Sequence, residues 1–369
     1  AIIASVAALR GLDNAVKLVV QTLLWFAITA LIAVTIGIAL GLTIQPGLHA
    51  SVDAAAAQAP TAVGGWLDFL KGLVPANYLG ITASTTLDAD GPSTSVSFNV
   101  LQIIIAAVAV GAAAVRVGAK AEAFLAFMTS ANLVLRQLLR WLIALTPLGS
   151  AALIANAVVS YGWDALSALG AFAGAVYIGL AIVLLAVYPI LLLIHGINPV
   201  RFFSVAWPAI QIGFLSRSSV GTMPVTEEVT ERLGVPRSYA AFAVPLGSTT
   251  KMDGCAAIYP AISAIFVAQF YGVPLQLSDY ALIVFVSVIG SAATAGLTGA
   301  VVMLTLTLST LRLPLEGVGL LLAIDPILDM GRTAVNVAGQ ALVPTIVSER
   351  LGMRGPMQTE ASAEAVPAE

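Results

Sequence analysis

Apolar residues in this chain fall in long runs, several of them long enough to be weighed against the thickness of a bilayer. Crossing a bilayer as a helix takes about 20 mostly apolar residues. Runs of that order extend from Leu18 to Leu42, Val100 to Val115, Ala126 to Val158, Ala168 to Ile194, Ala240 to Phe270, Ala281 to Leu308 and Leu315 to Val347. Runs this many exceed what an anchor needs and predict an all-α polytopic membrane protein, because a spanning helix satisfies its own backbone polar groups in hydrocarbon. Composition agrees: 59% of residues are hydrophobic and 9% charged, with a mean hydropathy of +0.98, far more apolar than a soluble domain. The net charge of -3 says little about partners, and the single cysteine excludes a disulfide framework within one chain.

Basic residues between the runs predict orientation, since Lys and Arg concentrate in cytoplasmic loops. Arg10 and Lys17 precede the first full run, Arg116 and Lys120 follow the second, Arg201 follows the fourth, Arg232 and Arg237 precede the fifth, and Arg350 and Arg354 close the chain. Those positions, with the carboxyl terminus, are expected to be cytoplasmic. The loops Pro46 to Gly65, Ser160 to Asp164 and Gly272 to Asp279 contain no Lys or Arg and are expected to be external; Lys71 and Arg312 are exceptions. The opening "AIIASVAALRG" reads as the tail of an earlier apolar span, which suggests a shortened amino terminus. "PGLHASVDAAAAQAPTAVGG" and "STTLDADGPSTS" read as small-residue and turn-rich connections. The end, "MRGPMQTEASAEAVPAE", has too little apolar content to pack and is expected to be a disordered tail.

In the second half the runs are interrupted by small polar residues. "FLSRSSVGTMPVTEE" (Phe214 to Glu228) is too polar at its centre to cross as a lipid-facing helix, and "VIGSAATAGLTGAVVML" (Val288 to Leu304) has the same Ser/Gly/Ala/Thr-rich centre. Both read as re-entrant hairpins whose open backbone lines protein or water. Each precedes a long span with polar groups at its midpoint, "GSTTKMDG" in one case and "DPILDMGRTAVN" in the other. Duplicated, interrupted helices of this kind point to the substrate site of a transporter.

The last run carries a polar stripe. At 100° per residue, Asp325, Asp329, Arg332, Asn336 and Gln340 fall at about 0°, 40°, 340°, 20° and 60°, all in one sector of a helix. A charged side chain at mid-bilayer costs ~2.5–3.5 kcal/mol on insertion scales. Two readings follow: an internal salt bridge between Asp329 and Arg332 at i, i+3, or a site shaped for a zwitterion. In the second, Arg332 takes a carboxylate by bidentate contact, Asp329 an ammonium and Asn336 a second carboxylate.

Three stretches, "SRSSVGTMPVTEE", "PLGSTTKMDGCAAIYPAISAIFVAQFYG" and "LPLEGVGLLLAIDPILDMGRTAVNVAGQ", resemble the first hairpin, seventh span and eighth span of the dicarboxylate/amino acid:cation symporter family, the glutamate transporter group. The similarity extends through "LKGLVPANYLG" and "LTPLGSAALIA" over essentially the whole chain, without the family's first span and most of its second. It implies a glutamate-transporter-like fold with two re-entrant hairpins and broken helices in inverted repeats. Residues 1–18 would end the second span and its cytoplasmic loop, 19–43 form the third span, 44–160 a scaffold for trimerisation and 161–351 a transport core that moves like an elevator, with 352–369 as the tail. It further implies substrate contacts for Arg332 (side-chain carboxylate), Asp329 (amino nitrogen), Asn336 (α-carboxylate), Thr333, Ser218, Ser219 and Arg217. Cys255 stands where many members have a threonine, and as a small apolar residue it reads as packing.

The cation positions depart from the family pattern. Lys251 stands in place of an asparagine and Gln340 in place of an aspartate, Phe26 replaces a tyrosine and Ala30 a serine, while Thr29 and Asp253 are kept. An ammonium lacks the oxygen ligands that sodium needs and repels the ion. Lys251 is therefore expected either to act as a built-in cation, paired with Asp253 or another nearby acid, or to snorkel toward a water-filled cavity. Asp253, Lys251, Gln340, Asp325 and Thr29 are the candidate coupling residues. The second hairpin lacks the usual proline, and no role is assigned to Ser291 or Thr294. His49 and His195 do not form a catalytic pair, Glu227 and Glu228 read as a solvated end of the first hairpin, and no metal cluster, nucleotide loop or nucleophile elbow occurs.

The expected function is secondary active transport of acidic amino acids such as aspartate and glutamate, proton-coupled or sodium-independent. A C4-dicarboxylate symporter and an ion-conducting channel on the same fold are the alternatives. Expected partners are a small anionic substrate, the lipid bilayer of the cell (inner) membrane and two further copies in a homotrimer; no enzyme activity, cofactor or nucleic acid is expected.

Overall fold

In the computed structural model the first apolar run is a single helix, α1 (Ala15–Ile44), of 30 residues. At 1.5 Å per residue it is about 45 Å long, ample for a hydrocarbon core of about 30 Å. The structure describes residues 15–50, 81–88, 91–98, 100–144, 169–290, 299–322 and 324–357, with isolated positions at 3, 77, 148, 151, 152 and 155. Among the described residues, the helical stretches Lys17–Leu48, Gly170–Ile194 and Arg237–Phe270 are long and apolar enough to cross a membrane. Leu23, Leu24, Leu31, Leu185, Leu193 and Ile194 stand exposed along the first two. Helices apolar on every face are at home in lipid, where outward leucines meet acyl chains.

The turn-rich insert forms a β-hairpin. β1 (Ile81–Asp88) pairs antiparallel with β2 (Gly91–Phe98), in register from Ile81 opposite Phe98 to Asp88 opposite Gly91. The threonines and Val96 in this stretch of sequence favour extended backbone through their β-branching. The helices α2 (Val100–Val117) and α3 (Glu122–Ala144) follow.

Prolines shape the remaining helices. α4 (Gly170–Ile182) runs into a π-helical turn, Val183–Val187, before α5 (Tyr188–Ile194), whose second residue is Pro189. α8 (Arg237–Thr250) breaks at Lys251 and Met252, resumes as a π-helical segment, Asp253–Ile258, and continues as α9 (Tyr259–Phe270), with Pro260 second. A proline inside a helix lacks the N–H for its i−4 bond and its ring crowds that carbonyl, so the chain locally widens to i→i+5 geometry.

The first expected hairpin is two helices, α6 (Pro199–Ser216) and α7 (Ser219–Arg232), joined at Arg217 and Ser218. Arg217 takes the left-handed conformation at φ 54°, and Ser218 caps α7 by accepting from the Gly221 N–H at 2.9 Å. One left-handed residue followed by an extended cap reverses the chain within two residues. The second expected hairpin is represented by α10 (Leu277–Gly290) and α11 (Gly299–Thr310); its tip, with Ser291 and Thr294, lies outside the described residues. α12 (Glu316–Leu322) and α13 (Asp325–Arg350) end the helical part. Residues 352–357, expected to begin a disordered tail, turn back instead: Gly355 donates its N–H to the Gly234 carbonyl at 2.8 Å, and Arg354 pairs with Glu349.

α13 lies at the centre. From Met330 to Ser348 its residues are buried on every face, enclosed by the α6–α7 hairpin, α8 and the π-helical segment 253–258. α9 is also buried throughout from Tyr259 to Ala268. Among the described residues, the polar stripe of α13 and the broken stretch around Lys251 and Asp253 thus lie in the interior.

Candidate substrate and coupling site

The stripe on α13 faces protein, as its period requires. Arg332 is fully buried, and its Nη2 donates to Asp325 Oδ1 at 2.7 Å and lies 3.2 Å from Asp329 Oδ1. The guanidinium stacks over the Tyr259 ring at 4.0 Å from its centroid. Its Nε and Nη1, and the Tyr259 hydroxyl, are buried without a hydrogen-bond partner. Buried donors are almost always satisfied in native proteins, so a group of orphans in one place marks where a ligand's acceptors fit. The two carboxylates are more accessible than the arginine behind them, with side chains 19% and 23% exposed against 0%. Thr333 Oγ1 donates to Asp329 Oδ1 at 3.3 Å.

The internal salt bridge foreseen between Asp329 and Arg332 is thus present, but the closer carboxylate is Asp325. That residue, grouped by sequence with the coupling positions, sits with Arg332 instead. Asn336 is held by the broken span: its Oδ1 accepts from the Gly254 N–H at 2.8 Å, and its Nδ2 lies 3.1 Å from Cys255 Sγ. A thiol is a weak acceptor, which leaves that amide N–H available to a better one. Gly254 is required here, because a Cβ would lie 2.5 Å from the Arg332 carbonyl oxygen and 2.8 Å from its Cα. Cys255 is buried, as its packing role requires, and its Sγ lies 3.7 Å from Asp329 Oδ1.

A second polar cluster lies on the other side of Asp253. Lys251 and Asp253 form an ion pair with each side chain only 1% exposed. The Tyr188 hydroxyl donates to Asp253 Oδ2 at 2.8 Å, accepts from Lys251 Nζ at 3.4 Å and is 3.3 Å from the Val335 carbonyl oxygen. Thr29 Oγ1 lies 3.4 Å from Asp253 Oδ1. Gln340 Nε2 donates to the Lys251 carbonyl at 3.2 Å, while its Oε1 is buried without a partner. Of the two expectations for Lys251, the paired one matches the structure: the side chain is buried and its ammonium is held by Asp253.

Arg217, Ser218 and Ser219 hold the hairpin turn, and among the described residues none of them hydrogen-bonds to Arg332 or Asp329. The hairpin nevertheless packs on α13, where a Cβ on Gly213 would meet Val337 Cγ2 at 2.9 Å and the Thr333 carbonyl at 3.5 Å. Sequence reasoning missed Tyr188, Tyr259 and Gly339. A signal existed for Tyr188, which is the one polar side chain between Leu180 and Ile194, and a buried tyrosine hydroxyl usually finds a partner.

Comparison with known proteins adds the following. The model of the sodium:dicarboxylate symporter family matches residues 1–350. The chain is similar to an uncharacterized symporter of Haemophilus influenzae, 36% identical over 260 residues, 69% of this chain and 59% of that protein. It is 27% identical over 338 residues to a proton/glutamate-aspartate symporter of Bacillus subtilis, 89% of this chain and 78% of that one. It is 33% identical over 293 residues to an L-cystine uptake protein of Bacillus anthracis, 77% of this chain and 61% of that one. The chain therefore spans about three-fifths of the Haemophilus and cystine proteins.

Proposed function

The chain belongs to the sodium:dicarboxylate symporter family, and from that premise we propose that it is a secondary active transporter of acidic amino acids such as aspartate and glutamate, coupled to protons or working by exchange. The observation that carries the reading is Arg332. A fully buried guanidinium with two unpaired nitrogens, set behind a partly exposed aspartate, suits a ligand that brings carboxylate and ammonium together. Asn336, with an amide N–H resting on a thiol, is the matching donor for a second carboxylate.

Two carboxylates, Asp325 and Asp329, share one guanidinium, and that ratio favours a second reading. A substrate with two ammonium groups would balance it, and relatives named as L-cystine uptake proteins carry such a molecule. A C4-dicarboxylate lacks any amine to answer the accessible Asp329. A channel is disfavoured because opposed charges packed against one another bind rather than conduct.

The family setting further supports a cell-membrane location with the carboxyl terminus in the cytoplasm, a homotrimer, a scaffold over 44–160 and a transport core over 161–351. Arg217, Ser218 and Ser219 would meet substrate once the hairpin tip closes on it. The deciding experiment is uptake into liposomes of labelled aspartate, glutamate, cystine and succinate under imposed proton or sodium gradients. Saturable uptake of aspartate, inhibited by glutamate and not by succinate, is expected. Unsaturable current or preferential succinate uptake would overturn the reading, and cystine preference would select the second.

A further inference from the structure

Trp25 from α1, His195 from the end of α5 and Arg350 from the end of α13 meet in one cluster. The Arg350 guanidinium lies 5.7 Å from the centroid of the Trp25 ring, and the Trp25 and His195 rings meet edge-on at 5.0 Å. His195 Nδ1 is 2.7 Å from the Leu191 carbonyl oxygen, which can only accept, so that nitrogen carries the hydrogen. In the neutral ring Nε2 is then the acceptor, and it faces Arg350 Nη1 at 3.5 Å. Arg350 has no acidic partner among the described residues, whereas Arg354 pairs with Glu349 and Arg237 with Glu231. A cation at the end of α13 also meets the negative end of the helix dipole, but that role calls for neither an indole nor an imidazole from two other elements.

The cluster lies at the edge of the apolar belt. The stretch from Trp25 to Ile44, at 1.5 Å per residue, is about 29 Å long and matches a hydrocarbon core of about 30 Å. Leu193 and Ile194, just before His195, are 63% and 71% exposed. The exposed Arg201 follows in the first turn of α6, likewise without an acidic partner among the described residues. Aliphatic side chains within the belt, an indole at its boundary and guanidinium groups beyond it match, layer by layer, a lipid whose headgroup is an anion. We propose that Trp25, His195, Arg350 and Arg201 form a headgroup site for an anionic phospholipid, with its phosphate on the Arg350 fork and an acyl chain along Leu193 and Ile194. The planar guanidinium suits a phosphate through paired N–H donors, and His195 and Trp25 orient it. A lipid bound there ties α1 and α5 to α13, the helix that carries Arg332. The site requires only that the chain lies in a membrane; its assignment to the cytoplasmic leaflet follows from the orientation proposed above.

The test follows thermal unfolding of the full chain in a neutral detergent with added phosphatidylglycerol or phosphatidylcholine of the same acyl chains. The midpoint should rise with the logarithm of phosphatidylglycerol concentration, as for any ligand bound only by the folded state, and more steeply than with phosphatidylcholine. Arg350→Gln should remove most of the difference between the two lipids. Arg201→Gln should need several-fold more phosphatidylglycerol for the same rise. A merely structural role for Arg350 would lower the midpoint in both lipids and leave their difference intact, and that result would overturn the proposal. So would equal responses of the wild type to the two lipids. Inorganic phosphate alone is the third arm: if it reproduces the full effect of phosphatidylglycerol, the ligand is a free anion and the lipid assignment falls. If Arg350→Gln cannot be recovered, Arg350→Lys keeps the charge at the helix end without the fork and should need several-fold more phosphatidylglycerol; an unchanged requirement overturns the proposal as well.

Discussion

Arg332 has more unmet hydrogen-bonding capacity than any other buried side chain among the described residues, with two orphaned nitrogens where others have one orphaned atom. A hydrogen bond to a charged group contributes about 1.5–3 kcal/mol net. Arg332→Cys should therefore weaken aspartate or glutamate binding about 10–100-fold, and more if both nitrogens engage the same carboxylate. Unchanged aspartate affinity, measured by calorimetry on the purified variant, would show that the anchor lies elsewhere. Asp329 is the accessible carboxylate beside it, so Asp329→Asn should impair uptake of amino acids far more than uptake of a dicarboxylate without an amine. Equal losses for aspartate and succinate would instead place Asp329 in support of Arg332. Lysine at position 332 is no conservative replacement, since a point charge cannot reproduce the planar fork that stacks on Tyr259.

Among the described residues, two helices widen to π geometry, and each widening is followed by a Tyr-Pro pair. Val183–Val187 leads to Tyr188 and Pro189, and Asp253–Ile258 leads to Tyr259 and Pro260. An inserted residue shifts the helix register by about 100°, and both shifts bring a tyrosine onto a charge: Tyr188 onto Asp253 and Tyr259 beneath Arg332. Pro260→Ala should let the segment relax toward regular helix, restoring a backbone bond while moving the Tyr259 ring. The expected result is an unfolding midpoint equal to or above wild type with several-fold weaker substrate binding. Unchanged binding would mean that tertiary contacts, not the proline, hold the wide turn. Gly254→Ala should behave differently, since its Cβ meets α13 backbone that cannot yield; overpacking of that kind costs about 1–3 kcal/mol, read as a lowered midpoint.

At the scale of the molecule, a few charged residues, Lys251, Asp253 and Arg332 among them, are buried within an apolar core, while large aliphatic side chains also stand exposed on the outer helices. The arrangement leaves the cytoplasmic or external fate of each loop to the basic residues that flank the helices. With Cys255 buried as the single cysteine, introduced cysteines can report orientation against a low background. Ser278→Cys, in the first turn of α10, should react with a membrane-impermeant maleimide added to intact cells. Pro356→Cys, beyond α13, should react only after permeabilisation. The reverse pattern would invert the topology read from the distribution of Lys and Arg.

Membrane insertion, the long helices, the interruptions in the second half and the polar face of α13 were all determined by sequence, because each depends on local composition or on a helical period of 3.6 that any observer can count. A hairpin near Phe214 to Glu228 was legible for the same reason, but its turn at Arg217 and Ser218, between helices that begin at Pro199 and end at Arg232, was not. The pairing of charges was not. Asp329 precedes Arg332 by three residues and Asp325 by seven, both on one face, and near neighbours in sequence favour Asp329, whereas the folded side chains bring Asp325 closer. Nor could sequence decide whether Lys251 reaches water. That depended on Tyr188, 63 positions away, and on the missing side chain at Gly339. Local structure follows from near neighbours in the chain, whereas the electrostatic environment of a buried charge is set by whichever distant elements pack around it, and only the tertiary structure brought those elements together.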